Sequence, residues 1–262
     1  MKIGIKTLVF GFLFLAMPAS AQENTSWVQK FKNFFTKSEQ TVQTQTTTEN
    51  KEETKEQVAE RKEPAFDFSE KTIGNREAPI KIHIFTSLTC PHCTHAHTQL
   101  VPYLEEKYAK TNEAIIILHD FPLEQRAMTA SLVSLCLSGE KYFAFIDALF
   151  ENQSAWASAP DVQQALLPYA KLAGLNEENM VACATDEAAT KELIRQRNLA
   201  IMQFKIHATP SFILQLGKEH ERIEGVPSRT DIDAKIETLK KAYNGPWPAS
   251  EEKKEPSAPT AP

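Results

Sequence analysis

The stretch SLTCPHCTHAH, Ser87 to His97, sets two cysteines and three histidines within eleven residues. It follows IKIHIF (Ile80–Phe85), whose alternation and β-branched residues predict a strand. Residues 91–108 carry helix-compatible side chains, so Cys90 stands where a strand hands over to a helix. Exposed amides and the helix dipole favour an anion there, which acidifies the Cys90 thiol. Pro91 suits the first helical turn, where its missing N–H would find no partner anyway. Cys93 lies about one turn further along, within reach of a disulfide with Cys90. His92 sits between them, and its imidazolium form would stabilise a thiolate. Two chemistries are open at this point. One is dithiol–disulfide exchange; the other is a metal site built from Cys90, Cys93, His95 and His97. His95 and His97 are two residues apart and diverge on a helix, which weighs against the metal. A C-x-x-C beside a βαβ-like pattern reads as a thioredoxin-like redox motif.

Working outward, Ala114–Phe121 (AIIILHDF) is a continuous apolar run, the pattern of a buried strand. A helical block spans 124–198, broken at Gly139, Pro160 and Gly174. Ser211–Leu216 (SFILQL) predicts another strand, with a short one at 222–225 beside it. Residues 230–243 close the unit as an amphipathic helix with Thr230 or Asp231 as its cap. The order is strand, helix, strand, helical block, strand, strand, helix. Thr209-Pro210 stands at the head of the 211–216 strand, a place where a cis proline serves a purpose.

The ends of the chain set its compartment. Lys2 and Lys6, an apolar run from Leu8 to Met17, and Ala19-Ser20-Ala21 form the pattern of a secretory signal peptide cleaved after Ala21. The apolar run is too short to span a bilayer comfortably. Export places Cys90, Cys93, Cys136 and Cys183 in an oxidising, periplasmic setting, where an even count fits two pairs. Trp27, Val28, Phe31, Phe34 and Phe35 gather mostly on one helical face, a candidate surface for self-association or membrane contact within residues 24–35. Residues 36–63 are polar and mixed in charge, and residues 245–262 are rich in Pro, Ala, Ser and Glu; both predict disorder. The folded unit is therefore 64–244, after the 1–21 leader and the 22–63 segment. With a net charge of −5 and no basic stripe, the chain has no nucleic-acid footprint.

The motifs taken together resemble the DsbA-like thiol oxidoreductases of the thioredoxin superfamily, in the bacterial branch whose active-site strand ends in a sequence like SLTCPHC. FTSLTCPHC (Phe85–Cys93), DFPLE (Asp120–Glu124), YFAFIDALFENQSAW (Tyr142–Trp156) and IHATPSFI (Ile206–Ile213) carry the resemblance. It implies an α/β thioredoxin fold with an inserted α-helical domain at about 124–198. It also implies that Cys90 is the nucleophile and Cys93 its resolving partner, with Pro91 and His92 tuning the pair. Thr209 and Pro210 match the loop that receives substrate backbone. No cofactor or metal is implied beyond the dithiol itself. The implied partners are incompletely folded exported proteins bearing cysteines, and a membrane redox protein. Relatives often carry a carboxylate six residues before the first cysteine; here that position is Ile84, with His83 beside it. For Cys136 and Cys183, the exported setting favours a structural disulfide over two buried free thiols, and the resembled branch carries such a pair. Two directions of exchange stay open. His92 in C-P-H-C leans toward an oxidase. Thr209 before Pro210 leans toward an isomerase or reductase, and a purely chaperone-like binder ranks below both.

Overall fold

The computed structural model describes residues 65–244; the leader, the Trp27–Phe35 stretch, the 36–63 segment and the tail from 245 lie outside the described residues. Five strands form one sheet in the order β1-β3-β2-β4-β5. They are β1 (Lys71–Ile73), β2 (Ile80–Thr86), β3 (Ala114–Asp120), β4 (Ser211–Leu216) and β5 (Glu219–Glu224). β2 and β3 run parallel, and every other pairing is antiparallel. Three-residue β1, which sequence patterning does not reveal, closes the edge beside β3.

Side chains alternate across the sheet, so each strand feeds two faces. Ile80, Ile82 and Ile84 of β2, Ala114, Ile116 and Leu118 of β3, and Phe212, Leu214 and Leu216 of β4 share one face and one core. Helix α1, the continuous helical run 91–109, packs there through Leu100, Val101, Leu104 and Tyr108. The last helix, here α8 (Arg229–Ala242), joins them through Ile232, Ile236 and Leu239. Phe85 and Ile213 point to the opposite face and pack with Ala200 and Ile206. α1 contains two wide π turns, Ala96–Leu100 and Glu105–Ala109. The first precedes Pro102, whose absent N–H an ordinary helical ladder could not use. The cap of α8 is Ser228, whose hydroxyl accepts from the Asp231 amide at 3.1 Å, rather than Thr230 or Asp231.

Between β3 and β4 come six helices: α2 (Gln125–Leu135), α3 (Glu140–Glu151), α4 (Gln153–Ala157), α5 (Val162–Leu172), α6 (Glu177–Thr185) and α7 (Glu187–Phe204). Short polar side chains start most of them. Glu124, Asp161, Asn176 and Asp186 accept amide hydrogen bonds at the first turns of α2, α5, α6 and α7. Gly139 sits at a positive φ of 55° where α3 begins, which a side chain would resist. Cys136 and Cys183 form a disulfide, with Cα atoms 6.3 Å apart, that links the end of α2 to α6. No helix among the described residues is long and apolar enough to cross a membrane.

Candidate active site

Strand topology builds the site. β2 runs toward Thr86 and delivers Ser87–Thr89 and then Cys90, which caps α1 in an extended conformation (φ −81°, ψ 120°). β4 is antiparallel to β2, and Phe85 pairs with Ser211. The residues just before β4 therefore lie beside the residues just after β2. These are Thr209 and Pro210, joined by a cis peptide bond. Cys90 Sγ lies 3.4 Å from the Thr209 carbonyl oxygen and donates to it.

The two cysteines are free thiols in unlike settings. Cys90 retains 9% of its surface, whereas Cys93 has none. Ser87 N–H points at Cys93 Sγ over 3.5 Å. Burial pushes the Cys93 thiol up to about 11, against the opposing pull of the Thr86 hydroxyl and the Ser87 amide. Ile84, buried in the same core as both cysteines, fills the position where relatives often have a carboxylate. His92 and Pro91 are exposed on the first turn. Thr209 is itself buried, and its hydroxyl has no close hydrogen-bond partner.

The three histidines after Cys90 part company. His95 faces solvent. His97 turns inward, bonds Asp147 Oδ1 through Nε2 at 2.6 Å and stacks on Phe150 of α3, with ring centroids 4.5 Å apart. Among the described residues no three His, Cys, Asp or Glu side chains converge as a metal site.

Two nearby groups escape a reading from the sequence. Gln153, the first residue of α4, donates its side-chain amide to the Leu88 carbonyl at 2.8 Å and to the Cys90 carbonyl at 3.1 Å. The only sequence signal for it is its place inside the YFAFIDALFENQSAW stretch. Asp120 ends β3 in register with Thr86 and accepts from Ser131 Oγ at 2.7 Å. Burial pushes its carboxyl up to about 6.

This geometry can be set against known proteins. Residues 67–237 match the family model described as Thioredoxin. The chain belongs to the thioredoxin family. Within that family it is DsbA-like. It is similar to the crystal structure of Wolbachia pipientis alpha-DsbA1, with 28% identity and a TM-score of 0.59, over 66% of this chain and 92% of that one. The crystal structure of Chlamydia trachomatis DsbA has the same fold, at 20% identity and a TM-score of 0.57 over 69% of this chain and 96% of that one. A putative protein-disulfide oxidoreductase of Rickettsia bellii is 27% identical over 176 residues, 67% of this chain and 68% of that protein. The chain thus spans about two thirds of the length of such relatives. The thioredoxin fold with a helical segment between β3 and β4 matches the resemblance that the motifs carry.

Proposed function

We propose that this thioredoxin-family protein is a thiol–disulfide exchange enzyme that donates the Cys90–Cys93 disulfide to exported proteins in the periplasm. The observation that carries this reading is the asymmetry of the pair. Cys90 keeps 9% of its surface open, at a helix N-terminus and against the Thr209 carbonyl, whereas Cys93 has none. A substrate sulfur can reach only Cys90.

The reaction follows from that order. In the oxidised enzyme a substrate thiolate attacks Cys90 Sγ. A new S–S bond forms, the Cys90–Cys93 bond breaks, and Cys93 leaves with the electron pair. With its affinity for a proton at about 11, Cys93 is promptly protonated, which discourages its return. A second substrate thiolate then attacks its own sulfur in the mixed disulfide. Cys90 departs as a thiolate at the helix N-terminus, where it is stabilised. The substrate has lost two electrons and two protons, and the dithiol enzyme holds the electrons. A membrane redox partner accepts them and restores the disulfide. Thr209 and Pro210 line the approach, so substrate backbone docks there as an extended segment. Cys136 and Cys183, which are already joined, act as a structural staple.

The isomerase direction has one observation in its favour, the threonine before the cis proline. One measurement separates the two: the reduction potential of the chain from Gln22 onward, equilibrated in glutathione buffers. Dithiol oxidoreductases span about −270 to about −120 mV. The expected value lies at the oxidising end, with stoichiometric oxidation of a reduced two-cysteine peptide. A value at the reducing end overturns the donor role and supports isomerisation.

A further inference from the structure

We infer that Gln153 is a positioning residue that sets the electrostatics of Cys90 from the helical segment. The inference rests on the exchange role proposed above and assigns part of its tuning to one side chain.

The contact is specific. A single amide nitrogen, Gln153 Nε2, donates to two backbone carbonyls that bracket the nucleophile, Leu88 O at 2.8 Å and Cys90 O at 3.1 Å. The Cys90 carbonyl already accepts from Cys93 N at 3.0 Å and Thr94 N at 3.1 Å, the first bonds of α1. Gln153 is therefore not needed to satisfy it. What Gln153 adds is a third donor on that oxygen and a tie between it and Leu88 O. This fixes the backbone on both sides of Thr89 and Cys90.

Gln153 is held firmly in turn. Trp156, buried to 1%, donates its indole N–H to Leu149 O at 2.7 Å. Asn152 Nδ2 donates to Ala148 O at 2.9 Å. The turn between α3 and α4 is thus tied at both ends to the last turns of α3. About two turns into α1, the His97–Asp147 contact fastens the same helix pair. The amide is presented by a rigid element rather than by a free surface side chain.

The electrostatic sign follows. The two carbonyl oxygens carry partial negative charge close to the sulfur that must hold a full one. A donor on both oxygens offsets that charge, as helix-terminal amides do at the same spot. Without it the Cys90 thiolate is less stable. The reduced enzyme is then less favoured, and the Cys90–Cys93 disulfide becomes a weaker oxidant.

The test uses the full exported chain carrying Gln153→Ala or Gln153→Glu. The Glu variant is nearly isosteric, so it covers the case in which the Ala variant fails to fold. It keeps the shape, loses the donor and places a negative charge beside Cys90. Two readouts are followed: the thiolate absorbance of Cys90 against pH, and the equilibrium with glutathione. In Gln153→Ala the thiolate titration is expected to move to higher pH, and the glutathione equilibrium to shift about three- to tenfold toward the disulfide, at most about 30 mV. Gln153→Glu shifts both further, by more than about tenfold. Folded variants with both readouts at the wild-type values overturn the inference. Shifts in the opposite direction also overturn it. Failure of the exchange role would look different: wild-type protein would titrate a thiolate yet pass no disulfide to a peptide, and the variants would still shift the titration.

Discussion

The burial of Cys93 makes a quantitative forecast about its reactivity. Only thiolates react with alkylating agents, and a free cysteine thiol ionises near 8.5. Held at about 11, Cys93 carries a thiolate fraction on the order of 10⁻⁴ at pH 7, about 300-fold below a free thiol. Its lack of exposed surface can only slow it further. The variant Cys90→Ser isolates this sulfur. It removes the like charge of Cys90, a minor contributor, and leaves the burial that dominates. Iodoacetamide labelling of this variant, followed by mass spectrometry across pH 6 to 10, reads the fraction directly. The expected rate is at least about 300-fold below a free cysteine at pH 7 and climbs about tenfold per pH unit without a plateau. A plateau below pH 9, or labelling at the pace of a free thiol, would refute the account of Cys93 as a proton-holding resolving sulfur.

The remaining forecasts concern stability. Replacing Cys136 and Cys183 together by Ala opens a loop of 47 residues, which should cost up to about 4 kcal/mol in denaturant unfolding; an unchanged midpoint would argue against the staple. Asp120, raised to about 6, holds its proton more tightly in the native state than near 4 in the unfolded chain. Stability is therefore lost as pH rises from about 4 to about 6, by up to about 3 kcal/mol. Asp120→Asn should melt higher than wild type at pH 8 and the same at pH 4. Asp67 runs the other way: its bond with the Lys71 ammonium, at 2.7 Å, lowers it to about 2. Together with the Ser69 amide and hydroxyl, that contact stabilises the protein above pH 4 by about 2 kcal/mol and is lost as pH falls through 2, so Asp67→Asn should destabilise the protein at pH 7 and by much less at pH 2.

The parts legible in the sequence are those with a period or a fixed spacing. β2 announces itself through alternation, β3 through an apolar run and β4 through its apolar residues, and C-P-H-C marks the start of a helix by proline and spacing. β1 escapes because three residues hold no period. The cap of α8 falls one turn earlier than Asp231, at a serine that follows a loop proline. Gln153 escapes for a different reason: an amide at the start of a short helix is unremarkable until the chain is folded and two carbonyls stand in front of it. The 3.4 Å approach of Cys90 to Thr209 joins residues 119 positions apart, and only the antiparallel register of β2 and β4 brings them together.

That register also explains why a helical segment between β3 and β4 bears on the dithiol at all. β3 is parallel to β2, so it ends at the same edge of the sheet at which β2 delivers Cys90. Phe121, just past β3, donates its amide to Thr86 O at 2.7 Å. β4 is antiparallel, so it begins at that edge too. Any segment placed between the end of β3 and the start of β4 must leave and return beside Cys90. The six helices found there reach the active-site helix through Gln153 against the carbonyls at its cap, and through Asp147 and Phe150 against His97 about two turns along. Substitutions in those helices can therefore alter the environment of Cys90 while the sheet, its register and the Cys90–Cys93 spacing stay as they are. An insertion in the turn between β4 and β5 would have no such access, because Leu216 and Glu219 pair there beside Ile80, at the end of the sheet away from Cys90.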